Sequence, residues 1–374
     1  MDWLEFDLTA TAECTIEEPA ARTVTNDTTE ALTTHEILFV ATDLSTGGGV
    51  NKVIRDLANL FSERPNTCVK VVSARSSRAP SYPFSSGVQV EYHRKQRLPA
   101  YFAFLLSLRR RHPDIVIGPW THDNILIVLA FLLSRTRVVL VEHAPWYFQG
   151  ALLRLVRRLI YPLAWRVIVL NPAELRHYRK YLGNVRLLPN PVSELSFTPG
   201  VAREKLIIAV GHLEPRKNFE DAIRAMAASG LEDEGWSLAI IGHGHNEEAL
   251  RQLIRHLGLK HTAIYPRTDG IASWYERSSL MLVTSRLEVF SLVLAEAMLS
   301  GVVPIAYAAD GPSFILEDFP GHLVRIGDVD KLAERLRHFA HRADLARLGE
   351  EFRASINNRF SPDMVVGKWR ELLA

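Results

Sequence analysis

Short apolar runs alternate with amphipathic stretches along this chain from residue 35 onward. The runs are rich in Val, Ile and Leu, which is typical of strands buried in a parallel sheet. Many of the stretches between them repeat apolar residues at helical spacing, and this alternation predicts doubly wound α/β sheets. The predicted strands are 35–41, 69–73, 88–92, 115–118, 138–141, 167–170, 206–210, 236–241, 263–265, 280–284 and 303–307.

The helical spacing is clearest in the segments 50–61, 247–257 and 331–348, which we predict to be helices. Asp-Gly-Pro-Ser at 310–313 is predicted to form a turn. The longest apolar run, 125–133, is too short to span a bilayer as a helix.

The length of 374 residues predicts two domains, because single hydrophobic cores stop growing beyond about 250–300 residues. Two prolines in the segment 187–192 are typical of a stiff connector. We therefore predict domains at 34–190 and 191–360. Residues 1–33 are acidic and show no helical or strand period beyond Leu8, so they are predicted to be a disordered extension.

The composition is that of a globular protein, with 47% hydrophobic and 23% charged residues. Cys14 and Cys68 show no metal-binding spacing, which favours a reducing, cytoplasmic location. No N-terminal segment combines a basic flank with an apolar core, so no signal peptide is expected.

The charge is distributed unevenly along the chain. Residues 31–190 contain 22 Lys and Arg against nine Asp and Glu, a net charge of +13, whereas 1–30 carry −7 and 191–374 carry −4. A basic domain of this kind indicates an anionic partner, which is a membrane surface, a nucleic acid or a phosphorylated acceptor.

Two predicted helices in the basic domain, 99–111 and 151–166, combine arginines with aromatic and aliphatic residues, as interfacial helices do. The alternative for each helix is a core helix with a solvated basic face. The surrounding charge favours a membrane-facing role. The arginines expected at the lipid surface are Arg109, Arg110, Arg111, Arg154, Arg157 and Arg158.

Candidate chemistry is concentrated in the stretch 285–301. Its second half is apolar except for Glu296 and is followed by Gly301, which predicts a short buried helix with Ser291 as its N-cap. A buried carboxylate needs a polar partner, and a ligand diol or a salt bridge would serve. Glu288 is then placed in the loop before the helix, where free backbone N–H groups favour an anion such as a diphosphate.

Three other loops follow predicted strands. Gly47, Gly48 and Gly49 lie between the first strand and the first helix, where backbone can approach a phosphate, although such a turn is often only a turn. Arg216 and Lys217 follow the strand 206–210 and would clamp phosphates, unless this is simply a surface loop. His143 follows the strand 138–141, at the edge where open α/β sheets bind ligands.

The segment Ser-Arg-Leu-Glu-Val-Phe-Ser-Leu-Val-Leu-Ala-Glu-Ala-Met-Leu-Ser-Gly resembles the E-x7-E signature of the retaining glycosyltransferases of family 4. The resemblance covers residues 35–374. It implies a GT-B fold, in which two Rossmann-like domains face each other across a cleft and a terminal helix, here 361–374, packs back on the first domain.

The resemblance also implies roles for individual residues. Glu288 and His143 would lie at the donor sugar, Glu296 would bind the ribose hydroxyls, and Lys217 would neutralise the leaving diphosphate, so Glu288, His143 and Lys217 are the expected catalytic residues. The remaining expected donor-binding residues are Gly48, Gly49, His212, Arg216, Arg267, Val289, Phe290, Ser291 and Leu292.

Two positions depart from the family pattern. Val289 stands where Gly is usual, and a larger residue there would tighten the loop over the sugar. His212 stands where Arg is usual, so Arg216 is expected to supply the missing cationic contact.

The resemblance implies transfer of a hexose from a nucleoside-diphosphate sugar, with a UDP-sugar favoured and GDP-mannose next, and with retention of configuration. No metal or other cofactor is expected, because the departing phosphate would accept the acceptor's proton. The expected acceptor is a lipid-linked saccharide in bacterial surface polysaccharide or glycolipid synthesis. The enzyme would be peripheral at the cytoplasmic face of the membrane, with no nucleic-acid partner.

Three other classes of protein remain open. A sugar-nucleotide epimerase shares the fold but does not need a basic first domain. A Rossmann dehydrogenase would need a complete Gly-x-Gly-x-x-Gly motif, which the first loop lacks. A non-catalytic basic protein that binds membrane or nucleic acid would leave the pair of glutamates without a role.

Overall fold

A computed structural model describes residues 35–95, 97–193, 203–268 and 270–373. The disordered extension predicted for residues 1–33 lies outside this range. The described residues form two parallel sheets with helices on both faces, so the predicted α/β fold class is confirmed. The sheets occupy residues 35–187 and 204–324; the exact domain limits stay predictions.

The first sheet has seven strands in the order β3-β2-β1-β4-β5-β6-β7. All of its strand pairs are parallel. The strands are β1 (His35–Ala41), β2 (Thr67–Ser73), β3 (Val88–Tyr92), β4 (Ile115–Gly118), β5 (Arg137–Val141), β6 (Arg166–Val169) and β7 (Val185–Leu187).

The second sheet has six strands in the order β10-β9-β8-β11-β12-β13, again all parallel. The strands are β8 (Glu204–Val210), β9 (Ser237–Ile241), β10 (Thr262–Tyr265), β11 (Ser278–Val283), β12 (Val303–Tyr307) and β13 (Leu323–Val324).

Thirteen α-helices connect and flank these strands within the described residues. They are α1 (Gly49–Ser62), α2 (Leu98–Arg109), α3 (Thr121–Phe131), α4 (Ala151–Ile160), α5 (Pro172–Tyr178), α6 (Phe219–Ser229), α7 (Glu247–His256), α8 (Ile271–Arg277), α9 (Leu292–Leu299), α10 (Asp310–Ile315), α11 (Val329–Ala340), α12 (Leu345–Phe360) and α13 (Pro362–Leu373).

Two predicted helices are wrong in length. The segment 331–348 is split between α11 and α12, because Asp344 turns back to pair with Arg342 and Arg347 just before α12 begins. The segment 151–166 ends as α4 at Ile160, because Pro162 lies in a 3-10 turn that leads directly into β6.

Three shorter features also differ from the prediction. The predicted turn at 310–313 is the first part of α10, with Pro312 in its first turn, where a missing N–H costs nothing. The strands β7 and β13 have only three and two residues, too few to show a period in the sequence.

Each sheet reverses its strand order at one central pair, β1 with β4 and β8 with β11. Ligands of open α/β sheets bind outside the carboxyl ends of the strands at such points. The glycine loop follows β1, the loop of Lys217 follows β8 and the loop of Glu288 follows β11. The topology therefore directs the candidate residues of both halves to the sheet edges where binding is expected.

The last helix returns to the first half of the chain, as the resemblance implied. Trp369 of α13 is buried and meets Phe61 of α1 edge to face, with ring centroids 5.8 Å apart. Arg64 also donates a hydrogen bond to the carbonyl of Val366 at 3.3 Å. Among the helices of the described ranges, none is both long and apolar enough to cross a membrane.

Candidate active site

A cleft of about 690 Å³ is lined by loops from both sheets. All residues expected to act in catalysis or donor binding line this one cleft, although their individual roles stay predictions. They are Gly48, Gly49, His143, His212, Arg216, Lys217, Arg267, Glu288, Val289, Phe290, Ser291, Leu292 and Glu296.

Glu296 lies on α9 and is only 6% exposed. Its carboxylate forms an ion pair with Lys52 of α1, which belongs to the other half of the chain. It also accepts a hydrogen bond from the Tyr275 hydroxyl at 3.3 Å. The buried carboxylate therefore has two polar partners in the protein, the Lys52 ammonium group and the Tyr275 hydroxyl.

Lys52 is a cleft residue that the sequence analysis missed. It lies in the first turn of α1, where a positive charge opposes the helix dipole and no acidic residue lies in the same turn. This unfavourable position in the sequence could have indicated that Lys52 pairs with a carboxylate from outside the helix, because such a pair stabilises a cation placed there.

Glu288 and Lys217 form a second ion pair at the floor of the cleft. Both side chains are largely buried, at 14% and 13% exposure. An ammonium group has three protons, so Lys217 can donate to Glu288 and to a phosphate oxygen at the same time. The pairing is thus compatible with the expected contact between Lys217 and a diphosphate.

The loop of Glu288 is held by backbone contacts on both sides. The Glu288 carbonyl accepts a hydrogen bond from the Gly311 amide at 2.8 Å, and the Val289 carbonyl accepts one from the Asn171 side chain at 2.8 Å. A Cβ on Gly311 would lie 2.8 Å from the Phe290 nitrogen, so only glycine fits there. Val289 itself is buried, so its side chain fills the core beneath this loop.

The start of α9 is open to a ligand. Ser291 precedes the helix, as predicted, but its side chain makes no capping hydrogen bond. Its buried hydroxyl has no partner among the described residues. Ser291 therefore leaves the first N–H groups of the helix without a side-chain cap. These groups lie beside the two glutamates, in a position that favours an anion.

His143 follows β5 and lines the cleft. Burial lowers the pKa of its imidazole to about 4, so the ring is neutral at pH 7, with one nitrogen that donates a hydrogen bond and one that accepts.

The residue before it, Glu142, is fully buried and holds a polar network beneath the cleft. Its carboxylate pairs with Arg157 and accepts hydrogen bonds from Asn124 at 3.0 Å, Thr121 at 3.1 Å and Tyr161 at 2.5 Å. This network fixes the backbone that carries His143.

The assignment of Arg157 to a lipid-facing surface is wrong. The side chain is 2% exposed and its guanidinium points inward to Glu142 and Tyr178. The sequence misled here because Arg157 follows the same helical spacing as its exposed neighbours Arg154 and Arg158.

The two basic helices differ in what they expose. On α2 the aromatic residues Tyr101 and Phe104 are buried in the core, so the alternative interpretation of a packed helix fits this one. On α4, in contrast, Leu152, Leu155 and Leu159 are 76%, 54% and 67% exposed. Leu98 and Leu106 of α2 are exposed as well, at 58% and 38%, so the larger apolar surface beside arginines belongs to α4.

The loop after β8 places His212 and Arg216 in the cleft. The His212 ring lies 4.4 Å from the ring of His243, and burial lowers the pKa of His212. Arg216 pairs with Glu214 at 2.7 Å, so its charge is partly compensated already. Arg216 was expected to contact phosphate in place of the arginine that is usual at position 212. Phosphate would have to compete with Glu214 for the Arg216 guanidinium.

Arg267 reaches from the second half of the chain to the glycine loop. A Cβ built on Gly47 would lie 1.5 Å from the Arg267 guanidinium, so the guanidinium occupies the space that a side chain would need. Gly47 therefore matters for the packing of the two halves, and Gly48, with open space around it, remains available to a ligand.

No group of three His, Cys, Asp or Glu side chains that could hold a metal ion occurs within residues 35–95, 97–193, 203–268 and 270–373. The metal-free scheme stays a prediction.

Several curated proteins are similar to this chain over nearly their whole length. The Campylobacter jejuni GalNAc-alpha-(1->4)-GalNAc-alpha-(1->3)-diNAcBac-PP-undecaprenol alpha-1,4-N-acetyl-D-galactosaminyltransferase is 24% identical over 91% of this chain and 98% of its own length. The amylovoran biosynthesis glycosyltransferase AmsD of Erwinia amylovora is 24% identical over 91% of this chain and 99% of its own.

Solved structures show the same fold. HepE of Anabaena in complex with UDP has a TM-score of 0.75 at 18% identity, over 90% of this chain and 99% of its own. A TarM variant of Staphylococcus aureus in complex with UDP has a TM-score of 0.77 at 13% identity, over 91% of this chain and 99% of its own.

Two family models match successive parts of the chain. Residues 47–194 match Glycosyltransferase Family 4, and residues 194–354 match Glycosyl transferases group 1. Together these matches include every expected donor-site residue and all strands of the two sheets except β1, which precedes residue 47. The chain therefore belongs to the glycosyltransferases of family 4, with the GT-B fold.

Proposed function

We propose that this enzyme transfers a hexose from a nucleoside-diphosphate sugar to a lipid-linked saccharide, with retention of anomeric configuration and without a metal. The donor is a UDP-sugar, with GDP-mannose as the next candidate. The product belongs to a bacterial surface polysaccharide or glycolipid.

The two ion pairs in the cleft are the observation that carries this proposal. Glu296 with Lys52 offers a carboxylate to a ribose diol, and Glu288 with Lys217 offers a carboxylate to a sugar beside a cation for the diphosphate. The uncapped N–H groups of α9 lie between them and favour the same anion. Electrostatic stabilisation of a leaving diphosphate would be the largest catalytic contribution here.

Retention follows in this scheme if the acceptor attacks from the face that the diphosphate leaves. The departing phosphate then accepts the acceptor's proton, and a neutral His143 orients the sugar by hydrogen bonds. The UDP complexes of HepE and TarM, which share the fold, support a uridine donor.

The acceptor and the location rest on the first half of the chain. The Campylobacter jejuni relative is named for an undecaprenol-linked diphosphate acceptor, and residues 31–190 of this chain carry a net charge of +13. We place the enzyme at the cytoplasmic face of the membrane, attached through the α4 leucines and through exposed arginines such as Arg110, Arg111, Arg154 and Arg158. Arg109, at the end of α2, is partly exposed and belongs to the same basic surface.

Mass spectrometry of the products tests the reaction. The enzyme is incubated with membranes from a bacterial host and with UDP-glucose, UDP-galactose, UDP-N-acetylhexosamines or GDP-mannose, with and without EDTA. We expect one hexosylated lipid product with one donor and an equal rate in EDTA. Isomerised donor without transfer would instead identify an epimerase, and a rate that EDTA abolishes and Mg²⁺ restores would contradict the metal-free scheme.

Vesicle co-sedimentation tests the location. Wild-type protein should sediment with vesicles containing anionic lipid, and changing Arg110, Arg111, Arg154 and Arg158 to Gln should reduce that fraction. Each basic residue near the surface contributes about 1 kcal/mol, so the four changes should weaken binding by more than a hundredfold. Equal sedimentation of the two proteins, or no binding by the wild type, would exclude this mode of attachment.

A further inference from the structure

A second pocket, of about 370 Å³, lies between α4 and α5, beside the donor cleft. Trp146, His177 and Tyr181 form its aromatic wall, and Arg154 and Arg158 form its basic side. None of these residues takes part in the donor site described above.

The pocket is close to the reacting centre. Trp146 follows His143 by three residues, and three residues of extended chain span at most about 11 Å. His143 lines the donor cleft, whereas Trp146 lines the second pocket. The segment from His143 to Trp146 thus separates the two pockets by no more than about 11 Å of backbone, a distance that a sugar chain can span.

The aromatic wall is rigid. The indole of Trp146 stacks on the imidazole of His177, with ring centroids 3.6 Å apart and planes 10° from parallel. Arg158 lies over the ring of Tyr181 at 5.1 Å, which fixes its guanidinium beside this wall. Both contacts favour one arrangement of the pocket.

The charge around the pocket is positive and uncompensated. Within the part of the chain that the structure describes, neither Arg154 nor Arg158 forms an ion pair, whereas Arg157 is already neutralised by Glu142. Of the nearby acids, burial raises the pKa of Glu174 to about 8, which removes its charge at pH 7.

The lowered pKa of His177 agrees with the excess of positive charge around the pocket. Burial first, and then the positive charges of Lys180, Arg158, Arg157 and Arg154, together lower this pKa to about 4. A neutral imidazole surrounded by cations indicates a site that lacks an anion.

The same helix presents the apolar surface. Leu152 and Leu159 are exposed on α4, and Leu155 both lines the pocket and is exposed. Cations next to exposed leucines fit an amphipathic anion better than a small soluble one, because the leucines would otherwise remain in water.

We propose that this pocket binds the diphosphate of a polyprenyl-diphosphate acceptor, with Arg154 and Arg158 on the phosphate oxygens and the α4 leucines against the hydrocarbon chain. This inference rests on the proposed function and adds the binding site of the acceptor's anionic group. Arginine suits that role because its planar guanidinium contacts two phosphate oxygens at once. The saccharide end of the acceptor then reaches the cleft past His143.

Calorimetric titration of the full chain with geranyl diphosphate tests the proposal, in saturating UDP so that the donor cleft is occupied. We compare the wild type with Arg154→Gln/Arg158→Gln and with the control Arg224→Gln/Arg325→Gln, which removes two exposed arginines elsewhere. We expect equal affinity for the wild type and the control, and at least tenfold weaker binding by Arg154→Gln/Arg158→Gln. Equal affinity in all three proteins would overturn the proposal.

A second pair of ligands separates a lipid-linked diphosphate from a free one. Inorganic pyrophosphate should bind the wild type at least tenfold more weakly than geranyl diphosphate, and Leu152→Gln/Leu159→Gln should weaken only geranyl diphosphate. If both ligands bind equally, the site takes free phosphates and the lipid assignment is wrong. Circular dichroism checks that each variant is folded.

The UDP titration in the same samples keeps the two proposals separate. If UDP binds but geranyl diphosphate does not, the proposed acceptor pocket is wrong and the proposed donor site stands. If UDP does not bind, the proposed donor site is wrong. The difference in geranyl diphosphate affinity between the wild type and Arg154→Gln/Arg158→Gln then still decides whether the pocket binds an anion.

Discussion

Lys52 and Glu296 join the two halves of this glycosyltransferase by an ion pair inside the cleft. Lys52 lies in the first turn of α1, after the glycine loop, and Glu296 lies in the middle of α9. The carboxylate expected to bind the ribose is thus held by a residue from the opposite half. Donor binding and the contact between the halves should therefore compete for the same group.

A double-mutant cycle measures that competition. Lys52→Met, Glu296→Gln and the double variant should give a coupling of about 1–3 kcal/mol in urea unfolding, because both side chains are largely buried. In saturating UDP the coupling should become much smaller, since the ribose hydroxyls replace Lys52. The exposed pair Arg255 and Glu248 serves as control; an unchanged coupling with UDP would show that the ribose does not contact Glu296.

The two glutamates should differ in their kinetic effect. Glu296→Gln should weaken UDP binding at least tenfold, because a hydrogen bond to a charged group contributes about 1.5–3 kcal/mol. Glu288→Ala should instead lower kcat more than donor affinity, since the sugar loses its reacting pose. Calorimetry with UDP and steady-state kinetics check the two halves of the prediction; the opposite pattern would exchange the two roles.

Lys217 should act mainly in the transition state. Lys217→Ala should lower kcat by about 30- to 800-fold, the equivalent of about 2–4 kcal/mol for one preorganised donor to a developing charge. The exposed Lys205→Ala is the matched control and should be neutral. A loss of less than threefold in kcat would mean that the ion pair with Glu288 is only structural.

Sequence reasoning located most of this site because parallel strands bring their following loops to one edge. Glu288, Lys217 and His143 each follow a strand that its apolar run revealed, and all three line the cleft. The partners of buried charges were not predictable in this way. Arg157 and Glu142 lie 15 residues apart, and Lys52 and Glu296 lie 244 apart, so helical periodicity gives no sign of either pairing.

Gly311 should be required for the shape of the donor loop. In Gly311→Ala the new Cβ would meet the Phe290 nitrogen at 2.8 Å and the Glu288 carbonyl at 2.9 Å, and backbone there cannot yield without moving both residues. We expect at least tenfold weaker UDP binding. Gly321→Ala, with nothing within 4 Å of its Cβ, is the control. Normal UDP affinity in Gly311→Ala would show that the loop tolerates displacement.

His322 should make the fold sensitive to acid. Its ring is buried against Phe339, with centroids 4.2 Å apart, and contacts the Pro304 carbonyl through Nδ1 at 2.7 Å. Burial, aided by the positive charges of Arg342 and Arg335 and opposed by the hydrogen bond to Pro304, lowers its pKa to about 4.

Between about pH 6.5 and pH 4 the unfolded chain therefore binds a proton at position 322 that the folded chain does not. The free energy of unfolding should fall as the pH is lowered through this window, by up to about 3 kcal/mol from this residue, and this contribution should be complete above pH 6.5. His322→Asn can keep the hydrogen bond to Pro304 without titrating. Urea unfolding at pH 7 and pH 4.5 should show a smaller loss for this variant than for the wild type, whereas equal losses would mean that His322 is protonated in the folded protein as well.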